Sequence, residues 1–318
     1  MNVGIIGAGA VGAATVGALL RTGGLDAEIV IINRNHDRAI GLAEDMTHAG
    51  IALGAAATVV PGDYPDLAGA SLVIITAGVN EKDGGATDRN DPRGRRVLIP
   101  ANARVYADII PQITAAAPDA TLLVVTDPPD PLADLARILA PNQPVVSTGT
   151  VIDSLRFRYQ IGRALGVPTR DVHANVIGEH GTSSVYLWSS ATVGGARVLD
   201  LLARRGDDVE EQKQRIQKAV TFGNISIIEG IGASQYGIGA VVARLTEGIV
   251  RDEHAVYPVA SYLPEYGTVV AIPSILGAQG VIDTVLPALT DTEAAGLDSS
   301  ANVLRDAAQL ALTSAGQA

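Results

Sequence analysis

The 318-residue sequence contains no cysteine and has only two phenylalanines and one tryptophan. Without cysteine, a disulfide scaffold and a thiolate metal site are excluded, and the composition is compatible with the cytosol. The five histidines are scattered without ligand spacing, so we expect no metal site. Hydrophobic residues still make up 47% of the chain, so the core must be built mainly from Ala, Val, Ile and Leu.

Positive charge is also scarce, and the formal net charge is −11. An acidic chain is a poor partner for nucleic acid or for an anionic membrane. No uninterrupted apolar stretch is long enough to cross a bilayer. The sequence opens directly on a strand pattern, MNVGIIG, which leaves no room for a signal peptide. We therefore expect a cytoplasmic protein whose main partner is a small molecule.

The first half of the chain alternates short apolar runs with helical patterns, which is typical of a parallel α/β sheet. Strands are predicted over 3–6, 29–32, 72–76, 122–126 and 145–147, and helices over 11–21 and about 36–48. Ligands of such sheets sit beyond the carboxyl ends of the strands, where Gly7, Asn33, Ala77 and Asp127 fall. We predict a Rossmann-type doubly wound parallel sheet over residues 1–150.

From residue 151 onward the pattern changes, without a low-complexity linker. Helices are predicted near 152–165, 209–229 and 234–250, with a last one starting near 292. An extended run at 184–193 and alternating segments at 255–262 and 268–275 indicate strands, the last two as an antiparallel hairpin or meander. We predict a second, α+β domain over residues 151–318.

The residues Gly7 to Gly12, GAGAVG, follow a strand and open a helix, the context that a dinucleotide-binding motif requires. Gly7 permits the tight turn, Gly9 lets a pyrophosphate approach the backbone, and Gly12 allows close helix packing. Together with Val11 and the helix N-terminus, these residues predict a dinucleotide site. Three further sequence-predicted cofactor contacts, Ala77, Gly78 and Asn33, lie at the ends of neighbouring strands.

The second strand ends in Asn33 where a carboxylate for the ribose hydroxyls is usual, and Arg34 follows directly. A neutral amide followed by a guanidinium would attract a 2′-phosphate, and Arg38 lies one helical turn later. We therefore favour NADP over NAD. The alternative is that both arginines are solvated and that Asn33 still holds NAD.

Two further strings, GTVIDSLRFR (149–158) and IGEHG (177–181), carry Asp153, Arg156 and His180. An imidazole can deliver a proton to a ketone oxygen as hydride reaches the carbon, and a carboxylate on its other nitrogen would fix the tautomer. Arg156 lies one helical turn after Asp153, so its planar fork can hold a substrate carboxylate in the same cleft. Taken singly, His180 could be a loop histidine and Asp153 a helix cap.

These strings, with DMTHA (45–49), TAGVN (76–80), TDPPDPL (126–132) and IIEGIGASQYGIG (227–239), resemble the L-lactate and malate dehydrogenase family over nearly the whole chain. The resemblance implies that His180 is the proton donor and acceptor, Asp153 its partner and Arg156 the carboxylate anchor. It also implies a mobile substrate lid, about 79–101, which delivers a catalytic arginine. Counting back from Asn102 places that arginine at Arg95.

The lid is about eight residues longer than the family's usual form and is rich in Gly, Asp and Arg, as a hinged lid would be. Arg93 and Arg96 could exchange the role of Arg95. Arg89 and Arg93 are as readily explained as residues of a solvated basic loop.

Two positions depart from the family pattern. Asp127 replaces an asparagine that bonds the substrate oxygen, and a negative charge beside a keto acid is unfavourable. Its pKa is raised, or the substrate carries a compensating positive group, or a nearby arginine neutralises it. Ser234 replaces the usual threonine against the substrate's C3 side, which together with the longer lid suits a substrate larger than pyruvate.

The resemblance extends to Arg158 and His173, which match positions from which some bacterial lactate dehydrogenases bind fructose 1,6-bisphosphate; both could equally be surface residues. A homodimer or homotetramer is expected. We predict an oxidoreductase that transfers hydride between NAD(P)H and a 2-keto or 2-hydroxy carboxylic acid. The alternatives are a reductase of a specialised keto or imino acid from a biosynthetic pathway and a catalytically silent, NAD(P)-binding regulatory protein.

Overall fold

The computed structural model describes residues 2–22, 25–89, 91 and 93–316. The strands within these residues are β1 Asn2–Ile6, β2 Glu28–Ile32, β3 Thr58–Pro61, β4 Ala70–Ile75, β5 Thr121–Val124, β6 Val145–Ser147, β7 Val172–His173, β8 Val176–Ile177, β9 Val185–Tyr186, β10 Thr192–Val193, β11 Ala196–Arg197, β12 Ala255–Tyr257, β13 Ala260–Leu263, β14 Thr268–Ala271, β15 Ser274–Gly277 and β16 Gly280–Thr284. The helices are α1 Ala10–Leu19, α2 His36–Leu53, α3 Ile99–Ala116, α4 Pro129–Leu139, α5 Val151–Leu165, α6 Val198–Arg204, α7 Val209–Thr221, α8 Gly223–Ile231, α9 Tyr236–Val250 and α10 Asp291–Ser314.

An eight-stranded sheet forms the centre of the molecule, in the order β14-β13-β6-β5-β4-β1-β2-β3. The strands β1 to β6 run parallel, whereas β13 and β14 join antiparallel at one edge. Every residue of β5 is buried, as is typical of a parallel strand covered on both faces. The five strands predicted for the first half are present, while β3 was not predicted. Its run TVVP is short and ends in proline, which suits the edge strand that it forms.

Helices cover both faces of this sheet. One apolar cluster lies where α1 and α9 pack together, and it includes Val16 of α1 and Leu245 of α9. The other lies between the sheet and α3, α4 and α10, with the fully buried Tyr106 and Leu132. The carboxyl ends of the parallel strands β1, β2, β4 and β5 therefore lie on the same side of the sheet. The loops that follow these strands line that side, together with segments of the chain that come after β6.

Three predictions for the second half need correction. The single helix over 209–229 is two helices, because the chain bends at Phe222 (φ −103°) before Gly223, a poor helix former. The extended run 184–193 forms only two two-residue strands, β9 and β10. The segment 255–262 splits at Pro258, so β12 pairs with β15 while β13 joins the central sheet.

Because β13 and β14 complete the first sheet, the two halves share one framework. The domain boundary near residue 150 stays a prediction. Within the part of the chain that the structure describes, no single helix is long and apolar enough to span a membrane. Only the consecutive pair α8 and α9, bent by 118°, meets those criteria when its lengths are combined.

Candidate active site

The glycine-rich turn after β1 forms an open cradle at the start of α1. Gly7 has φ +117°, and a Cβ there would lie 2.8 Å from the backbone nitrogen of Ala77. A Cβ on Gly12 would lie 2.0 Å from the carbonyl oxygen of Gly7, so the first turn of the helix packs directly on the loop. A Cβ on Gly9 would meet nothing within 4 Å. The space beside Gly9 and the helix N-terminus suits a dinucleotide pyrophosphate.

Two polar residues that follow β2 form hydrogen bonds with the backbone of this glycine-rich turn. Asn33 Oδ1 accepts a hydrogen bond from the Ala8 backbone N–H (3.0 Å), and Arg38 Nε donates to the Ala8 carbonyl oxygen (2.7 Å). The Asn33 amide also donates to the Asn35 carbonyl oxygen (2.9 Å). Arg34 is exposed and makes no hydrogen bond or ion pair within the residues described. Asn33 and Arg38 thus shape the loop, whereas Arg34 extends into solvent beside it.

His180 and Asp153 lie against each other in the cleft below this edge. Asp153 stands in the first turn of α5, and His180 follows β8 after Gly178, whose φ of +85° turns the chain inward. His180 Nδ1 hydrogen-bonds Asp153 Oδ2, and each side chain is 10% exposed. Burial alone would raise the pKa of Asp153, but the charges of His180 and Arg156 overcome it and lower that pKa to about 2. The carboxylate therefore stays ionised and can accept the hydrogen bond of His180 Nδ1.

Arg156 completes this group. Its Nη1 lies 3.4 Å from Asp153 Oδ1, and its side chain is 17% exposed. The aliphatic part of the guanidinium arm lies against Gly223, where a Cβ would be 3.5 Å from Arg156 Nε. The start of α8 thus lies alongside the arginine that we expect to hold the substrate carboxylate, and a Cβ at Gly223 would make only an ordinary van der Waals contact with it.

Asp130, which the sequence analysis did not single out, supports the His180 loop from below. Its carboxylate accepts hydrogen bonds from the His180 backbone N–H (2.8 Å) and from Ser147 Oγ (2.6 Å). Burial raises its pKa to about 6, although those hydrogen bonds oppose the shift. The sequence showed only an acidic residue in the first turn of a helix, a position that many helices share.

Arg95 is the lid arginine that reaches the cleft. Its Nε lies 3.2 Å from Asp127 Oδ2, and its Nη1 donates to the His180 carbonyl oxygen (3.3 Å). Arg93 is directed towards solvent, and Arg96 Nε donates back to the Arg93 carbonyl oxygen (3.2 Å). Of the three neighbouring arginines, Arg95 therefore has the position expected for the catalytic one.

Glu81, which the sequence analysis also did not single out, forms an acid pair with Asp127. Glu81 Oε1 lies 4.0 Å from Arg95 Nε and 3.4 Å from Asn224 Nδ2. Burial, then the negative charge of Asp127, raises the pKa of Glu81 to about 7. Arg95 lies close enough to neutralise one acid of this pair, which is one of the three explanations offered for Asp127. Glu81 lies six residues after the carboxyl end of β4, and its acidic side chain in this segment was the available signal.

The lid is tied to the rest of the molecule at its base and near its tip. At the base, Asn102 accepts from the Val79 backbone N–H (2.7 Å) and donates to the Asp127 carbonyl oxygen (2.7 Å). Near the tip, Arg89 forms two hydrogen bonds with Glu229 of α8, at 2.5 and 2.8 Å. Arg89 is thus an ion-paired residue in this structure. Two lid positions, Asn90 and Pro92, lie outside the described residues.

The remaining sequence-predicted residues lie away from this cluster or at its edge. Ser234 is half-buried in the segment between α8 and α9. Arg158 donates to the Ala174 carbonyl oxygen (2.7 Å) and to Asn175 Oδ1 (2.9 Å), so it ties α5 to the β7–β8 segment. His173 is exposed in β7. A phosphate-binding role for Arg158 and His173 stays a prediction.

Two family models together match most of the chain. Residues 1–146 match the family model described as lactate/malate dehydrogenase, NAD binding domain, and residues 150–314 match that of its alpha/beta C-terminal domain. The chain belongs to the lactate/malate dehydrogenase family. The fold class predicted from the sequence is thereby confirmed, as is an NAD-dependent oxidoreductase acting on CH–OH groups.

Several relatives are similar over their full length. An L-lactate dehydrogenase of Deinococcus radiodurans is 43% identical, over 96% of this chain and 97% of the relative. One of Thermus aquaticus is 40% identical, over 97% and 98%. Among solved structures, the minor L-lactate dehydrogenase of Enterococcus mundtii superposes with a TM-score of 0.87 at 31% identity, over 97% of each chain.

Proposed function

We propose that this protein transfers a hydride between NAD(P)H and C2 of a small 2-keto or 2-hydroxy carboxylic acid, in the manner of an L-lactate dehydrogenase. The observation that carries the proposal is the convergence of the His180–Asp153 pair, Arg156 and Arg95 on one cleft at the carboxyl edge of the sheet. Residues 1–150 would bind the cofactor, and residues 151–318 would supply most of the catalytic groups.

The nicotinamide supplies or accepts the hydride when it is bound. His180 holds the proton: with Nδ1 committed to Asp153, Nε2 is left to deliver it to the substrate oxygen during reduction and to remove it during oxidation. Asp153, ionised at every working pH, stabilises the imidazolium and fixes the ring. Deprotonated His180 would serve the oxidation of the alcohol.

Arg156 and Arg95 orient and polarise the substrate. The Arg156 fork would grip the carboxylate through two parallel hydrogen bonds, setting C2 in front of the cofactor site. Arg95 would place positive charge near the oxygen on which negative charge develops. The lid, with its base fixed by Asn102 and its tip on α8, would exclude water from this charge transfer.

The central test is a spectrophotometric screen of 2-keto acids with NADH and NADPH in parallel. In His180→Asn, turnover should fall by about 10²–10⁴-fold while cofactor affinity, measured by fluorescence titration, stays nearly constant. The matched control is His254→Asn, which removes an exposed histidine that has no proposed role in binding or catalysis. If no 2-keto acid is reduced although the dinucleotide binds, the silent regulatory alternative is supported; if His180→Asn keeps most of its activity, the role of His180 is wrong.

For the choice of cofactor, we propose NADP over NAD, because Asn33 lacks a carboxylate and the exposed Arg34 is available to a 2′-phosphate. One charge-assisted hydrogen bond to phosphate corresponds to a preference of about tenfold or more. The double change Asn33→Asp and Arg34→Ala should reverse the ratio of kcat/KM for NADPH and NADH. It keeps an acceptor for the Ala8 N–H and leaves Arg38 intact, but it removes the donor to the Asn35 carbonyl oxygen, so the fold of the variant is checked by circular dichroism. A parent enzyme with a clear preference for NADH would refute this proposal.

We also propose a cytoplasmic homodimer or homotetramer, to be tested by size-exclusion chromatography with light scattering. Arg158 and His173 would bind a sugar bisphosphate across a subunit interface. Titration with fructose 1,6-bisphosphate should then raise the activity of the parent protein but not of His173→Asn. An unchanged activity in the parent protein would remove the proposed effector site.

A further inference from the structure

The candidate site contains more carboxylates than guanidiniums, which is unusual for an enzyme whose substrate is itself an anion. Three carboxylates, Glu81, Asp127 and Asp153, lie with two guanidiniums, Arg95 and Arg156, as mutually interacting charges. Asp153 is matched by His180 when the imidazole is protonated. Once a substrate carboxylate has taken Arg156, Glu81 and Asp127 are left to share Arg95 alone.

The geometry shows that Arg95 serves these two acids unequally. Its Nε is 3.2 Å from Asp127 Oδ2 but 4.0 Å from Glu81 Oε1. The other carboxylate oxygen of Asp127, Oδ1, is buried and accepts no hydrogen bond. Asn224 offers Glu81 only a long contact of 3.4 Å. Two carboxylates therefore share one guanidinium and one long amide contact, and a hydrogen bond between them requires that one of the two holds a proton.

We propose, resting on the function proposed above, that the preferred substrate is a 2-keto acid whose side chain carries a positive charge, and that Glu81 and Asp127 form the subsite that binds this cation. Such a substrate is a zwitterion: Arg156 takes its carboxylate, and the acid pair takes its cation. Binding then adds no net charge to the cleft. A neutral side chain would instead leave two carboxylates sharing one guanidinium in a partly desolvated site, which is unfavourable.

A neutral side chain can be accommodated only when Glu81 holds a proton that it shares with Asp127. The burial and negative neighbour that raise the pKa of Glu81 to about 7 make this possible near neutral pH. The charged groups facing Glu81 are Asp127, Arg95 and, further away, Arg156, with Asn224 as its polar neighbour on α8. Rising pH should therefore favour the cationic substrate and disfavour the neutral one.

Three probes of similar reach separate these cases: a 2-keto acid with a terminal guanidinium (5-guanidino-2-oxopentanoate), one with an alkyl chain (2-oxooctanoate) and one with a second carboxylate (2-oxoadipate). We expect kcat/KM for the guanidinium probe to exceed that for the alkyl probe by about tenfold or more. The dicarboxylate should be the poorest substrate. The ratio of the first two should rise from pH 6 to pH 8, and taking a ratio cancels the pH dependence of the catalytic steps that all probes share.

Glu81→Gln and Asp127→Asn, which are nearly isosteric, should each lower this ratio and flatten its pH dependence, whereas the exposed control Glu265→Gln should not. Two variants are used so that one that fails to fold does not decide the outcome. A parent enzyme that prefers the alkyl probe, or a ratio that both folded variants leave unchanged, overturns the cation subsite while the dehydrogenase function stands. If no probe or other 2-keto acid is reduced, the proposed function itself fails and the cation subsite with it.

Discussion

Replacing Asp153 by asparagine tests whether the His180–Asp153 contact stabilises a proton on the imidazole. The change keeps the shape of the side chain but removes its charge, and an amide nitrogen placed against His180 Nδ1 would be a donor facing a donor. Asp153 also lies 3.4 Å from Arg156, so the variant removes a negative charge from both neighbours. We expect the protonated form of His180 to be destabilised most, because its contact with the carboxylate is the shorter one.

The magnitude follows from the carboxylate itself. The pKa of Asp153 is lowered from 3.8 to about 2, so its surroundings favour the ionised form by roughly 2 kcal/mol, since each pKa unit corresponds to about 1.4 kcal/mol. Burial opposes this shift, so the attraction between the carboxylate and its cationic neighbours is larger than this net figure. If most of that attraction stabilises the imidazolium, the reduction of a keto acid should slow by about 30-fold or more.

The assay is the pH profile of kcat/KM for reduction, which requires protonated His180. In Asp153→Asn the loss of activity on the alkaline side should begin at a lower pH than in the parent enzyme. The matched control is Asp171→Asn, which removes an exposed carboxylate from the same half of the chain. A loss smaller than about fivefold, with an unshifted profile and unchanged circular dichroism, would refute the reasoning.

Three further predictions concern the surroundings of this pair. Arg156→Lys keeps the charge but loses the two-pronged grip, so substrate KM should rise about tenfold or more while cofactor affinity by fluorescence titration stays constant; an unchanged KM would place the carboxylate elsewhere. Glu229→Gln removes the partner of Arg89 at the lid tip, so KM should rise a few-fold at low salt, and a rise that persists in 1 M salt would argue against an ion-pair latch. The pKa of Asp130 is raised from 3.8 to about 6, so this carboxyl group stays protonated to a higher pH in the folded state than in the unfolded chain. The free energy of unfolding should therefore fall as the pH rises from 4 to 6, by up to about 3 kcal/mol. Urea unfolding should show this loss in the parent protein and not in Asp130→Asn; equal pH dependence in both would contradict it.

The sequence by itself determined the features that depend on neighbours along the chain. The glycine turn before α1 could be predicted because only glycine fits at Gly7, with φ +117°, and at Gly12, where a Cβ would lie 2.0 Å from a carbonyl oxygen. The spacing of Asp153 and Arg156 predicted that both lie on one face of a helix. The buried strands could be recognised as short runs of apolar residues. Each of these signals lies within one element or one turn, so periodicity and residue type are sufficient to find it.

Only the tertiary structure decided which of the lid arginines reaches the cleft and which acids meet there. Arg93, Arg95 and Arg96 are nearly adjacent in sequence, and their side chains diverge because the short turn Gly94–Leu98 directs only Arg95 towards Asp127. Glu81 and Asp127 come from different strand ends, and their proximity follows from β4 and β5 lying side by side. Such contacts depend on how segments that are distant in sequence pack together. A local sequence pattern therefore cannot predict the distance between two such side chains.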